Sequence, residues 1–145
     1  MTGAPGGPLI STGYWLHHAA LAWRREMDTR LRPLGLTHTQ FDILASTSWL
    51  GRNTGAPTQQ AVAEFAGIDR MMTSKIVRTL VDRGLIERLP DPGDARAYRL
   101  TLTPGGRETV TASTAVARAI DAEMFAGLPD PAGLRAGLTK VVGRT

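Results

Sequence analysis

The chain of 145 residues contains no cysteine. This absence excludes disulfide bonds, thiolate nucleophiles, thiol-based redox sensing and zinc sites built on cysteine. Only three histidines are present, and the adjacent His17 and His18 point about 100° apart if they lie on a helix. They therefore cannot face one ion together, and we expect neither a structural metal site nor a bound cofactor.

Long hydrophobic runs are also missing. Residues 1–8 are rich in glycine and proline and contain no lysine or arginine, whereas a secretory signal begins with positive charge followed by an apolar stretch. No segment approaches the roughly 20 apolar residues that a membrane span requires. We expect a flexible N-terminal tail over residues 1–8 and a cytoplasmic protein.

The patterns typical of an enzyme are absent from the sequence as well. We find no Ser-His-Asp spacing, no paired carboxylates in one element and no phosphate-binding glycine loop. The glycine pairs Gly6-Gly7 and Gly105-Gly106 fall in the tail and at a helix start. The sequence therefore predicts a protein that is not an enzyme.

The composition that remains is that of a folded domain with a mild basic excess. Apolar residues make up 42% of the chain, which is enough for a hydrophobic core. The 17 basic and 13 acidic residues give a net charge of +4. This charge permits a nucleic acid as partner without requiring one.

Apolar spacing predicts two long helices in the first third of the chain. The first carries one apolar stripe at helical spacing, and Pro33 to Gly35 end it. Its members are Leu16, Ala20, Trp23, Met27 and Leu31. The second begins at a Thr37 or Thr39 cap and runs to about Leu50. Because it is apolar on more than one side, we expect it to be central and buried.

The middle of the chain predicts a helix-turn-helix followed by a β-hairpin. After a loop over residues 51–55, a short helix over 59–65 and a turn over 66–69 lead to a longer helix over 70–83. Asp69 is a natural N-cap for that helix, and Gly84 ends it. Two strands over 85–89 and 97–102 flank a turn-rich segment over 90–94.

Two further helices complete the chain, one from Thr103-Pro104 to about Gly127 and one from Asp130-Pro131 onward. Leu134, Leu138 and Val141 form a stripe on the last helix. Both ends of the chain thus carry apolar stripes that a second copy of the chain would bury. We predict a mainly α fold with a small β-hairpin wing, in which residues 37–103 form a winged helix-turn-helix domain. Residues 9–36 and 104–145 form a helical dimerisation region.

The second helix of the helix-turn-helix combines short hydroxyls with long cations. We expect Met72, Ile76, Val77 and Leu80 on its buried face, and Arg70, Met71, Ser74, Lys75 and Arg78 opposite. Short side chains allow a helix to approach the major groove, where arginine bonds guanine bidentately. The alternative is an ordinary solvated helix face.

The predicted hairpin favours the DNA-binding interpretation. Its tip carries Asp94 and Arg96, and an arginine there can enter a narrow minor groove. Asp94 is expected to pair with Arg96 and orient it, although an exposed ion pair of no function would look the same. Residues 70–99 hold seven basic and four acidic residues, a net of +3.

The predicted DNA contacts come from both helices of the helix-turn-helix and from the wing. Two glutamines open the first helix, where they suit phosphate contacts or are simply solvated. The full set is Gln59, Gln60, Arg70, Thr73, Ser74, Lys75, Arg78 and Arg96.

Several segments, in this order and spacing, resemble the MarR family of regulators. They are GLTHTQF (35–41), DRMMTSK (69–75), LVDRGLIER (80–88), DARA (94–97) and LTPGGR (102–107). The resemblance extends over roughly residues 9–128. It implies a triangular homodimer with interleaved terminal helices and two winged domains on a pseudo-palindromic, double-stranded DNA operator.

The resemblance also implies a cleft for a small aromatic effector between the dimerisation helices and the DNA-binding lobe. Candidate lining residues are Trp15, His18, Trp23, Phe41 and Trp49, although aromatic residues at helical spacing more often fill a core. The family's thiol-based peroxide sensors are excluded by the lack of cysteine. We expect a transcriptional repressor that either binds DNA constitutively or is released from it by a small ligand. The alternative is a winged-helix protein that packages DNA without sequence choice or contacts only proteins.

Overall fold

A computed structural model describes residues 3–4 and 6–143, and within them the chain forms six α-helices and one two-stranded antiparallel sheet. Short 3₁₀ segments at Gly7–Ile10 and Arg32–Leu34 flank the first helix. The main elements in chain order are α1 Thr12–Leu31, α2 His38–Thr54, α3 Gln59–Ala66, α4 Arg70–Asp82, β1 Ile86–Asp91, β2 Asp94–Leu102, α5 Pro104–Met124 and α6 Pro131–Val142. The predicted fold class, mainly helical with a hairpin, is confirmed.

Helix α2 is the centre of the molecule, as its apolar pattern predicts. It packs against α1, α3, α4, α5 and β2, and its start is fixed by a reciprocal capping box between Thr37 and Gln40. Ile43 and Leu44 are fully buried in a core to which five helices and both strands contribute. The core comprises Met27, Leu31, Leu36, Ile43, Leu44, Val62, Ile76, Val77, Leu80, Ile86, Leu100 and Ile120.

The predicted loop over residues 51–55 is wrong, because α2 continues to Thr54. Polar side chains in its last turn bond back to the helix: Asn53 Nδ2 donates to the Trp49 carbonyl and Thr54 Oγ1 to the Leu50 carbonyl. The Arg52 guanidinium also lies 5.7 Å from the centre of the Trp49 ring. These local contacts extend the helix past the last strongly apolar position.

The hairpin is longer than the sequence predicts, and its turn is correspondingly shorter. Strand pairing runs from Ile86 opposite Leu102 to Asp91 opposite Asp94, with a register shift between Pro90 and Asp91. Pro92 and Gly93 alone lie between the strands. The hairpin also pairs with the segment before α3, because the Leu100 N–H donates to the Pro57 carbonyl over 2.8 Å.

The two ends of the chain are incompletely buried. Met27 and Leu31 lie in the core, but Leu16 from the same α1 stripe is exposed. Every residue of α6 is exposed, including Leu134, Leu138 and Val141. Of the predicted tail, Gly7 belongs to a 3₁₀ segment, whereas residues 1, 2 and 5 lie outside the described residues. Among the helices described, none has the length and apolar character to span a membrane.

Candidate nucleic-acid interface

Helices α3 and α4 form a helix-turn-helix whose ends are fixed by side-chain caps. Thr58 Oγ1 accepts a hydrogen bond from the Ala61 N–H at the start of α3, and Asp69 Oδ1 accepts one from the Met72 N–H at the start of α4. Between them Gly67 has a φ of 69°, a left-handed conformation that glycine adopts without steric cost. Ala63 is buried. The turn therefore depends on two small residues, Ala63 and Gly67.

Helix α4 has one buried and one exposed face. Thr73, Ile76, Val77 and Leu80 are buried. Successive helical residues are separated by about 100°, so the opposite direction is that of Met71, Lys75 and Arg78, all of which are exposed. Helix α4 thus presents two cations and a methionine outward in one row.

Two assignments on α4 need correction. Thr73, predicted as a DNA contact, is only 1% exposed, and its hydroxyl lies 3.4 Å from the Ile68 carbonyl oxygen that accepts its hydrogen bond. Met72, predicted to be buried, is 46% exposed. Both differences have one cause, because the packed face of α4 is centred near Thr73 and Leu80. Met72 is rotated about 100° from Thr73 and therefore lies at the edge of that face.

The starts of α3 and α4 and the tip of the hairpin border one groove of about 430 Å³. Gln59, Gln60, Arg70 and Arg96 all line it. Arg70 Nη2 donates to Gln60 Oε1 over 3.2 Å, so the first cation of α4 is held against α3. Five of the predicted DNA contacts therefore border this groove, because the buried Thr73 lines it too. Ser74, Lys75 and Arg78 lie further along α4, with Ser74 half-buried and the other two exposed.

The wing is supported differently from the prediction. Asp94 Oδ1 accepts a hydrogen bond from the Arg96 backbone N–H over 2.9 Å, so this contact fixes the backbone of the tip. The ion pair of the wing instead joins Arg99 Nε to Asp91 Oδ1 over 3.4 Å. Arg99 Nη1 also donates to the Ala56 carbonyl over 2.8 Å. Arg99 therefore anchors the hairpin to the segment before α3, while the Arg96 side chain is exposed at the tip.

The five aromatic residues predicted to line a ligand cleft do not share one site within the chain. Trp15 and His18 lie near the start of α1, where Trp15 Nε1 donates to the Leu9 carbonyl and His18 stacks on Tyr14. Trp23 donates to Asp121 Oδ1 over 3.0 Å and packs edge-on against His38. Of the five, only Phe41 and Trp49 line the same groove.

That groove, of about 500 Å³, lies between α2, α3 and α5 and contains a carboxyl group that the sequence analysis did not predict. Burial raises the pKa of Asp42 to about 6, against the opposing effect of Arg24. His38 Nε2 lies 3.1 Å from Asp42 Oδ2. Burial lowers the pKa of His38, Arg24 lowers it further, and Asp28 opposes both. The i, i+4 spacing of His38 and Asp42 was the available signal for this pair.

Together the helix-turn-helix and the adjoining hairpin define a winged helix-turn-helix protein. The MarR family model matches residues 36–98. Over 136 residues the chain is 35% identical to the HTH-type transcriptional regulator YdcH of Bacillus subtilis, a match that covers 94% of this chain and 92% of the relative. The chain belongs to the MarR family of DNA-binding transcriptional regulators. Members of this family are transcriptional regulators and not enzymes.

Two further similarities extend over most of the chain. An HTH-type transcriptional repressor of Mycobacterium tuberculosis is 31% identical over 119 residues, covering 82% of this chain and 83% of the relative. The structure of Bordetella bronchiseptica BpsR, whose DNA binding is regulated by 6-hydroxynicotinic acid, superposes with a TM-score of 0.82 at 25% identity. That match covers 98% of this chain and 99% of BpsR.

Proposed function

We propose that this protein is a sequence-specific repressor that binds a pseudo-palindromic operator as a homodimer in the cytoplasm. The observation that carries the proposal is the groove shared by Arg70 at the start of α4 and Arg96 at the wing tip. A helix that enters the major groove contacts bases with its N-terminal residues. The adjoining arginine then reaches the neighbouring minor groove.

Some of the proposed contacts are to the bases of the DNA and the others are to its phosphate backbone. The side chains of α4 would contact base edges in the major groove, and they are Arg70, Ser74, Lys75 and Arg78. Gln59 and Gln60, at the start of α3, would contact phosphates. Thr73 is not among these contacts, because it is buried. Repression as the direction of regulation is supported by the name of the mycobacterial relative.

The proposed dimer is supported by the unburied apolar surface at both ends of the chain. Leu134, Leu138 and Val141 are exposed on α6, and Leu16 and Leu21 are exposed on α1. Contact with a second copy would remove these side chains from water. A two-fold axis then sets the two α4 helices about 34–36 Å apart, one turn of DNA.

A small aromatic acid is proposed as the effector, bound in the groove between α2, α3 and α5. Phe41 and Trp49 supply aromatic surface there, and Arg52 and Arg118 supply positive charge for a carboxylate. The regulation of BpsR by 6-hydroxynicotinic acid supports this ligand class. By binding one dimer geometry more tightly, the ligand would favour a spacing of the α4 helices that no longer fits the operator.

The proposal is tested by comparing operator and random DNA at physiological salt. DNA upstream of the protein's own gene and a shuffled duplex of equal length are titrated against the full chain by fluorescence anisotropy. A specific repressor should prefer its own site by about a thousandfold or more. Near-equal affinities would instead identify a packaging protein, and no binding to either duplex would favour a winged helix that contacts only proteins.

A further inference from the structure

Among the large apolar side chains of the described residues, Met71 is the most exposed, at 85%. It lies in the first turn of α4, one residue after Arg70. Its direction on the helix is opposite to that of the buried Thr73, Ile76, Val77 and Leu80. Met71 is therefore the most outward-pointing apolar group of the helix that the proposed function inserts into DNA.

The neighbours of Met71 on this face are polar. Lys75 and Arg78 follow it at the i+4 and i+7 positions, and both are exposed. These cations suit phosphates and guanine edges, whereas a methionine side chain has no hydrogen-bond donor and only a weak acceptor. Its contribution to a complex must therefore come from burial of apolar surface.

The major groove offers one apolar group for such a contact. The 5-methyl group of thymine projects into it, and the other features that distinguish the base edges there are hydrogen-bond donors or acceptors. We propose that Met71 is a specificity-determining residue that packs on a thymine methyl group in each half of the operator. This inference rests on the proposed function, since it needs α4 in the major groove.

Replacing thymine with deoxyuridine tests the contact, because this change removes the methyl group and keeps every hydrogen-bonding atom. The preferred sequence is first selected from a random duplex pool with the full chain. Each thymine is then replaced in turn, and Kd is measured by anisotropy at constant salt. The wild type should lose affinity about fourfold when one sensitive thymine is replaced in either half-site, and about fifteenfold when both are replaced.

The Met71→Ala variant should bind the thymine and deoxyuridine duplexes equally well at those positions. Because the Met71 side chain is exposed, the substitution should not disturb folding, and an unchanged Tm verifies this. Met72→Ala is the matched control, because Met72 is the neighbouring methionine at the edge of the packed face and is 46% exposed. This control should retain the wild-type loss on deoxyuridine substitution.

The outcomes separate this inference from the proposed function. Specific binding with no sensitive thymine, or an equal deoxyuridine effect in wild type and Met71→Ala, overturns the Met71 contact and leaves the repressor proposal standing. The first result would also be expected if Met71 docked on another protein. Selection that yields no preferred sequence overturns both.

Discussion

At the scale of single residues, the cations of the wing have separate tasks. Arg99 is held by Asp91 and by the Ala56 carbonyl, and Arg88 lies with its guanidinium 5.4 Å from the centre of the Tyr98 ring. Arg96 is exposed at the tip, and its backbone is fixed by Asp94. Arg96 is thus the wing cation best placed to reach DNA, whereas Arg99 maintains the position of the hairpin.

Replacing Arg96 with alanine should weaken binding to operator and random DNA alike. Each cation that leaves the interface reduces the number of counterions released, so the slope of log K against log salt should fall by about one unit for each subunit. A salt titration by filter binding measures this slope. Arg25→Ala, at an exposed position of α1, is the control. An unchanged slope for Arg96→Ala would show that the wing arginine does not contact DNA.

The raised pKa of Asp42 makes the stability of the folded chain depend on pH. Its pKa in the folded chain, about 6, lies above the reference value of 3.8. A group whose pKa is raised on folding contributes to the free energy of unfolding, and this contribution is fully present below the reference pKa. The contribution is lost as the pH rises through about 6. The lowered pKa of His38 acts in the opposite sense, because its contribution is present above 6.5 and is lost as the pH falls.

Asp42→Asn removes the ionisable carboxyl and keeps its size. At pH 7.5 the variant should exceed the wild type in free energy of unfolding by about 1–3 kcal/mol, and the gain should shrink toward pH 4. Urea denaturation at several pH values measures the difference. Asp82→Asn, at an exposed position of α4, is the control. A gain that does not change with pH would argue against a buried charge at Asp42.

At the scale of elements, the start of α5 is fixed against the turn between α4 and β1. Thr103 Oγ1 donates to the Gly84 carbonyl over 2.6 Å and accepts from the Gly106 N–H over 3.0 Å. A Cβ atom added at Gly106 would overlap the backbone carbonyl of Leu85. The close approach of these elements joins the helix-turn-helix to the long helix that follows the wing.

The adjacent glycines 105 and 106 should therefore respond oppositely to alanine. Gly106→Ala should destabilise the chain by about 1–3 kcal/mol, because backbone must shift to admit the methyl group. At Gly105 the nearest atoms would be 3.8 Å from the new Cβ, so alanine should stabilise by up to about 1 kcal/mol through helix propensity. Thermal unfolding of the two variants compares them, and equal effects would contradict the packing described.

At the scale of the whole molecule, the exposed apolar stripe of α6 supports the proposed dimer. Leu134, Leu138 and Val141 point in nearly one direction on the helix, while Ala136 points to the opposite side. Since α6 buries none of its residues in the single chain, we expect its stability to depend on the proposed partner surface. Tm should accordingly rise with protein concentration.

Leu138→Glu should convert the dimer to monomer and abolish tight operator binding, because a charge would be buried at the interface and the two half-sites would no longer be bound together. Sedimentation velocity and anisotropy measure the two effects. Ala136→Glu is the matched control and should remain dimeric. A dimeric Leu138→Glu variant with wild-type affinity would exclude α6 from the interface.

The sequence by itself determined the order of the elements, the cap at Asp69 and the central position of α2, because these follow from local periodicity and capping chemistry. It narrowed the cap of α2 to Thr37 or Thr39, and the structure selects Thr37. Tertiary packing decided which way each side chain of α4 points, turning Thr73 inward and Met72 to the edge. Tertiary packing also placed Arg70 and Arg96 at one groove, formed the hydrogen bond from Arg99 to the Ala56 carbonyl and buried the Asp42 carboxyl. These contacts join residues distant in the chain, or depend on the rotation of a helix against its neighbours, and local spacing carries no information on either.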